Sequence, residues 1–270
     1  MKKTVGFIGC GNMAQAMLGG MINSNTLDNE NVIVSNPTNN KLHLVKKQYD
    51  VKVTNDNNEV AKESDILILA VKPNKYDTVL KEIKNHIKEN VIIVTIAAGI
   101  DINSVENIFD NDIKVIRTMP NTPALVREGM TAMCSNKNVK DKEMKEIITL
   151  FKSFGKVEII DEKLMDYIPG ISGSSPAYVY MFIEALADGA VLHGIPREKA
   201  YKMAAQAVLG SAKMILETNE HPGKLKDNVC SPSGSTIEAV YTLEKNNFRG
   251  TIIAAMESCT TKAIKMNKKN

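Results

Sequence analysis

The chain has 270 residues, 43% of them apolar and 24% charged, with a formal charge of +3; that length allows one or two well-buried domains. Its lysines are scattered and tryptophan is absent, which argues against a basic groove interleaved with aromatics and so against a nucleic-acid partner. Cys10, Cys134, Cys230 and Cys259 lie far apart with no CxxC or Cys/His spacing, against both a metal site of the zinc type and the disulfide framework of a small secreted protein.

The first predicted element is an apolar β run over residues 4–8, followed at once by a glycine-rich turn and a helix-periodic segment over 13–21. The spacing Gly9-x-Gly11-x-x-Ala14 is that of the phosphate-binding turn in a dinucleotide-binding βα unit, in its variant with a small third residue. Gly9 permits the tight turn, and Gly11 lets the backbone approach a pyrophosphate. Ala14 allows close packing of helix on strand. An anion placed there faces the unpaired N–H groups at the positive end of the helix. Cys10, inside the turn, reads as a small filler. Met1-Lys2-Lys3 before an apolar run imitates an export signal, but Gly9, Gly11 and Asn12 interrupt it after five residues.

To about residue 160, strands and helices alternate. Strands are expected at 32–35, 51–53, 65–71, 91–96 and 113–117, and helices at 41–49, 75–89 and 101–108. Further strands at 129–135 and 157–160 flank a helix at 140–153. The continuous apolar runs, such as Ile66-Leu67-Ile68-Leu69, suit strands covered on both faces, so the expected architecture is a doubly wound, mostly parallel sheet.

After the second strand the chain reads Ser35-Asn36-Pro37-Thr38-Asn39-Asn40-Lys41. NAD-preferring folds usually place an acidic residue here for the ribose hydroxyls. No carboxylate is present to repel a 2′-phosphate, and hydroxyl, amide and lysine donors are, so NADPH is favoured, with NADH also usable. Three later loops fall where strands end on the nucleotide side: Ala70-Val71-Lys72-Pro73, Ala97-Ala98-Gly99, and Thr118-Met119-Pro120-Asn121-Thr122-Pro123. Ligands of such sheets bind outside the carboxyl ends of the strands, so these loops are expected to line the nicotinamide half.

From Leu164 onward the period changes to helical, with segments at 175–193, 197–217, 235–246 and 248–268, punctuated by Gly194-Ile195-Pro196, His221-Pro222-Gly223 and Ser231-Pro232-Ser233-Gly234. The expected division is therefore an α/β nucleotide domain over 1–162 and an all-helical domain over 163–270. The lysine-rich tail at 265–269 reads as a solvated helix end. The helix at 176–194 is apolar around most of its circumference and must be buried on several sides; a dimer with interleaved helical domains would supply that cover. Glu184 and Asp188 within it rule out a membrane span, and the protein reads as soluble and cytoplasmic. These two carboxylates share a helix face, but ion pairing or solvation suits them better than an acid/base pair. His43, His86 and His193 read as structural, and His221 as shaping its turn.

Two stretches carry a more specific signal: Ser172-Gly173-Ser174-Ser175-Pro176-Ala177-Tyr178-Val179, and His221 through Leu225-Lys226-Asp227-Asn228-Val229 to Ser231-Pro232-Ser233-Gly234-Ser235-Thr236-Ile237. At these residues the chain resembles the pyrroline-5-carboxylate reductase family, and the resemblance extends over essentially its whole length. It implies a Rossmann-type nucleotide domain followed by a helical dimerisation domain, with dimers able to assemble into larger rings such as decamers. It further implies reduction of the cyclic imine 1-pyrroline-5-carboxylate to L-proline, the last step of proline biosynthesis, by NADPH or less often NADH. By the same resemblance Ile8, Gly9, Cys10, Gly11, Asn12, Met13, Asn36, Asn57, Ala70, Val71, Lys72, Pro73, Ala97, Ala98, Gly99 and Asn121 form the cofactor set. Glu162, Asn228, Val229, Ser231, Gly234, Ser235 and Thr236 form the substrate set. The family usually has glycine where Ser175 and Ser233 stand; wherever such a position needs positive φ, serine costs on the order of 1 kcal/mol.

The residues make chemical sense on their own terms. A hydroxyl- and glycine-rich turn opening a helix is a ready cradle for a carboxylate, though Ser and Thr also serve as ordinary N-caps. Thr236 is the residue expected at the imine nitrogen. A protonated imine is already electrophilic, so positioning supplies most of the catalysis and no strong general acid is demanded. The rival enzyme class, a β-hydroxyacid dehydrogenase, shares the two-domain plan but needs a lysine-bearing catalytic helix, and the stretch 172–182 has no lysine. The rival of another kind is a non-catalytic NADP-sensing protein.

Overall fold

The structure, a computed structural model, describes residues 2–109 and 113–267. It divides into two compact units, Ser175–Ser258 and the remainder, Met1–Ser174 with Cys259–Asn270. Of the expected solvated tail, Lys268 and Lys269 lie outside the described residues.

The first unit is built on one eight-stranded sheet: β1 (Val5–Ile8), β2 (Val32–Ser35), β3 (Lys52–Thr54), β4 (Ile66–Leu69), β5 (Ile92–Thr95), β6 (Lys114–Met119), β7 (Gly129–Ser135) and β8 (Gly155–Ile159), in the order β3-β2-β1-β4-β5-β6-β7-β8. All neighbours are parallel except β6 and β7. The residues of β1, β2 and β4 are buried throughout, as strands with both faces covered must be. Alternation then sorts the side chains. Val5, Phe7, Ile66, Ile68 and Val94 meet α1 (Asn12–Asn23), α2 (Asn39–Tyr49) and α6 (Asp141–Lys152) on one face. Ile8, Leu67, Leu69 and Ile93 meet α3 (Asn57–Glu63), α4 (Tyr76–Ile83) and α5 (Ile102–Glu106) on the other.

Two helices are shorter than their periodicity predicts. α4 ends at Ile83, where His86 N–H bonds back only three residues to Ile83 O at 2.8 Å. α5 ends at Glu106, and Ile108 and Phe109 likewise make three-residue bonds to Val105 and Glu106. Tightening to i→i+3 bonds is a common way for a helix to satisfy its last carbonyls. α3 is a helix that the sequence reading passed over. Its seven residues are too few to show a period, and Asp56 fixes its start by accepting from Asn58 N–H at 2.8 Å.

The second unit is helical: α7 (Ser175–Leu192), α8 (Arg197–Thr218), α9 (Pro222–Val229), α10 (Ser235–Lys245) and the first half of α11 (Phe248–Asn267). α7 packs on α8, and the Phe182 and Phe248 rings lie 6.2 Å apart. α9 follows the break His221-Pro222-Gly223 and is too short to show a period; His221 caps it, its Nδ1 accepting from Gly223 N–H at 3.0 Å, with Pro222 at the first helical position. Along α7 only Ala187 is buried, and Met181 stays 70% exposed, so one chain leaves much of the apolar circumference of this helix exposed. Asp188 pairs with Arg197. Among the described residues no helix is long and apolar enough to cross a membrane, and no group of three His, Cys, Asp or Glu could hold a metal ion.

Candidate active site

Strand register brings the site together. Ser35, Ile8, Leu69, Thr95 and Arg117 form one row across the sheet, so the loops that leave these strands emerge at one level. At the centre, Ala70 N–H bonds Ile8 O at 2.8 Å and Gly9 N–H bonds Ser35 O at 2.9 Å. Gly9 has φ +99°, and a Cβ built on it would lie 2.6 Å from Ala70 O. Any side chain there is strained twice over. Gly11 differs in kind: its φ of −79° suits any residue, and a Cβ there meets no protein atom within 4 Å. Glycine at 11 is thus not demanded by the fold.

Gly11 is also the N-cap of α1, which has no side-chain cap and no acidic residue in its first turn. The N–H groups that open this 12-residue helix lack the usual side-chain oxygen. Asn36, almost buried, holds the turn by accepting from Cys10 N–H at 3.3 Å while its own amide donates to Thr38 Oγ1 at 2.7 Å. Burial pushes the Cys10 thiol up, against the opposing pull of the nearby Lys41 ammonium and a hydrogen bond with Gln15. A buried thiol held protonated is a poor nucleophile. Uncapped N–H groups, open space at Gly11 and a lysine beside the turn together suit a phosphorylated dinucleotide.

Asn57 accepts from Ser35 Oγ at 2.8 Å and donates to Glu82 Oε2 at 3.0 Å. Val71 and Pro73 are half-buried and Lys72 is exposed. Ala97, Ala98 and Gly99 are half-buried, Gly99 with φ +85°, and they line a shallow open cleft with Arg117, Met165 and Asp166. Asn121 is buried and its amide is used within the protein, donating to Ser172 O at 2.9 Å and accepting from Met130 N–H at 2.8 Å.

Sequence reasoning missed Arg117, which it took only as a strand residue. Its side chain is 6% exposed and pairs with Asp166 at 2.5 Å, with Glu162 at 3.7 Å. Glu162 also accepts from Ile102 N–H at 2.8 Å. The available signal was an arginine directly after the apolar pair Val115-Ile116 in a strand of a sheet covered on both faces, since a charge buried there must find a partner.

The remaining substrate candidates lie in the second unit on one short stretch. Asn228 and Val229 end α9, and Ser231, Pro232, Ser233 and Gly234 turn into α10, with Gly234 N–H on Ser231 O at 3.0 Å. Ser233 sits at φ +59°, whereas Ser175 opens α7 without positive φ; of the two serines only Ser233 bears the strain. Gly234 is the N-cap of α10 and no side chain caps it, so the hydroxyls around it are not consumed as caps. Ser231 and Ser235 are exposed and Thr236 is half-buried.

A glycine turn opening an uncapped helix, strand-end loops at one level and a helical second unit define a Rossmann-type oxidoreductase with an appended helical domain. Residues 4–99 match the family model "NADP oxidoreductase coenzyme F420-dependent", and residues 162–266 match "pyrroline-5-carboxylate reductase dimerisation". The chain is 47% identical to the pyrroline-5-carboxylate reductase of Escherichia coli, over 99% of this chain and 100% of that protein. Among solved structures it is similar to pyrroline carboxylate reductase from Plasmodium falciparum with NADP bound (TM-score 0.89, 36% identity, 98% of each chain). It is also similar to pyrroline-5-carboxylate reductase from Coxiella burnetii (TM-score 0.90, 32% identity, 97% of this chain and 98% of that one). The chain belongs to the pyrroline-5-carboxylate reductase family, and its dimerisation region makes it a homo-oligomer.

Proposed function

We propose that this chain reduces 1-pyrroline-5-carboxylate to L-proline with NADPH as the preferred donor and NADH as a weaker one. The observation that carries the nucleotide half is the start of α1, uncapped and with open space at Gly11; the substrate follows from the family. Residues Ile8 to Met13 and Asn36 hold the adenosine and pyrophosphate end, with Lys41 near the 2′-phosphate. The loops at 70–73 and 97–99 carry the nicotinamide end, which supplies the hydride when bound. Asn57 and Asn121 support these loops.

The N–H groups and hydroxyls that open α10 take the substrate carboxylate, with Asn228, Val229 and Ser231 around it. Thr236 Oγ1 accepts the iminium N–H, which favours the protonated electrophile. Hydride adds to the C=N carbon, the nitrogen keeps its proton and gains the electron pair of the broken π bond, and the product is a secondary amine. Glu162 orders the neighbouring wall through Arg117 and Ile102. We take 1–162 as the nucleotide domain and 163–270 as the dimerisation and substrate domain of a cytoplasmic enzyme. A second copy covers α7, and such dimers can assemble further into a decameric ring.

The test is NADPH oxidation by purified protein with and without freshly prepared 1-pyrroline-5-carboxylate, with NADH in parallel. Imine-dependent oxidation that is faster with NADPH, and a ratio that falls towards one in Lys41→Met, is the expected result. Tight NADPH binding without turnover would instead support the sensor reading.

A further inference from the structure

We propose that Tyr76 is a positioning residue: its buried hydroxyl ties the two cofactor-facing loops, 70–73 and 97–99, to each other. The inference rests on the reading of those loops as the nicotinamide end of the site.

β4 and β5 run in parallel until Leu69 pairs with Thr95, and there the ladder ends. Ala70 N–H continues the β1 ladder to Ile8 O, as Ile66 N–H bonds Thr4 O earlier in the strand, but on the β5 side no further rung follows. The next two backbone groups, Leu69 O and Ile96 N–H, would be left without each other. The Tyr76 hydroxyl stands between them, donating to Leu69 O at 2.5 Å and accepting from Ile96 N–H at 3.3 Å. One phenol thus replaces a rung of the ladder at the base of both loops.

The chain's path makes this coupling tight. Tyr76 follows the 70–73 loop after the short turn Pro73–Lys75 and is the first residue of α4. Its backbone closes one loop while its hydroxyl reaches the first residues of the other. The ring is 2% exposed, packed among residues of α3, α4 and the sheet, so the hydroxyl cannot swing away to water. Burial pushes the phenol up, with the Ile96 and Ala97 N–H groups pulling only partly the other way, so it remains a neutral donor. Removing the oxygen leaves the Leu69 carbonyl and the Ile96 N–H without their shared partner at the point where the loops diverge. Buried polar groups left so are costly, and the loops would shift to find water or each other.

The experiment compares Tyr76→Phe with Val79→Ala, a buried neighbour on the same helix that touches neither loop through a hydrogen bond. NADPH dissociation constants are read by nucleotide fluorescence without substrate. KM, kcat and thermal midpoint are measured beside them. Tyr76→Phe is expected to raise the NADPH dissociation constant and KM by about tenfold, equivalent to ~1.4 kcal/mol, with a much smaller change in kcat. Val79→Ala is expected to lower the thermal midpoint while leaving NADPH affinity within about twofold, because cavity formation acts on the core and not on the loops. An unchanged affinity in Tyr76→Phe, an equal loss in Val79→Ala, or absence of NADPH binding by the unaltered chain each overturns the proposal. Failure of the unaltered chain to use the imine, with NADPH still bound, would sink the substrate reading alone, and the affinity comparison would still decide Tyr76.

Discussion

The glycines of the first turn allow the fold and the ligand to be separated by one methyl group placed at either of two positions. Alanine at position 9 must adopt φ +99° and bring its Cβ to 2.6 Å from Ala70 O. The backbone strain costs about 1–2 kcal/mol and the forced displacement about 1–3 kcal/mol. A sum near 3 kcal/mol corresponds to a fall of roughly 6–12 °C in the thermal midpoint of a domain this size. Alanine at position 11 meets no protein atom within 4 Å and keeps an ordinary extended backbone, φ −79° and ψ 178°. Its entropic gain of about 0.4–1 kcal/mol is offset by the poorer N-cap it makes, about 0.5–1 kcal/mol, so the midpoint should move by less than about 2 °C. The methyl does, however, occupy the approach to the α1 N–H groups. Overlap with a pyrophosphate there costs about 1–3 kcal/mol, or roughly 5- to 150-fold in NADPH affinity. Thermal unfolding without ligand and a nucleotide titration read the two effects separately. Gly11→Ala protein that binds NADPH within about threefold of the unaltered chain, or that melts as early as Gly9→Ala, would refute the reasoning.

Three further predictions concern other parts of the site. Thr236→Ala should lower kcat by about 10- to 150-fold, the loss of one charge-assisted hydrogen bond, with NADPH affinity untouched; unchanged imine kinetics would remove Thr236 from the chemistry. At the Arg117 cluster the order of losses is informative. Removing both carboxylates, Glu162→Ala with Asp166→Ala, strands a guanidinium that is 6% exposed and should cost about 3–5 kcal/mol, whereas Arg117→Met leaves carboxylates 39% and 36% exposed and should cost less than half of that. Urea unfolding that ranks them the other way would contradict this account. Ser233→Gly should raise stability by about 1 kcal/mol by relieving positive φ, while Ser175→Gly, at a helix start without positive φ, should not; equal effects would show that φ is not the cause.

Several features were legible in the residues themselves. The turn at Gly9 and Gly11, the strands within 65–71 and 91–96, and the helix breaks at Gly194-Ile195-Pro196 and His221-Pro222-Gly223 are local, because backbone freedom, periodicity and chain stiffness act over a few residues. The short α3 and α9 escaped because seven or eight residues hardly display a period, and only their caps at Asp56 and His221 announce them.

Tertiary structure decided the rest. The antiparallel turn of β7 against β6, the pairing of Arg117 with Asp166 and the bridge from Tyr76 to Leu69 and Ile96 join residues that no short window contains. So does the use of the Asn121 amide by Ser172 and Met130, which the loop's sequence presented as open to ligand. Of two serines written alike in place of glycine, only Ser233 was put at positive φ. The physical reason is common to all. Propensity fixes which element a segment forms, but register and partner follow from the summed packing of every strand and helix at once, so the identity of a residue's neighbour is a property of the whole sheet.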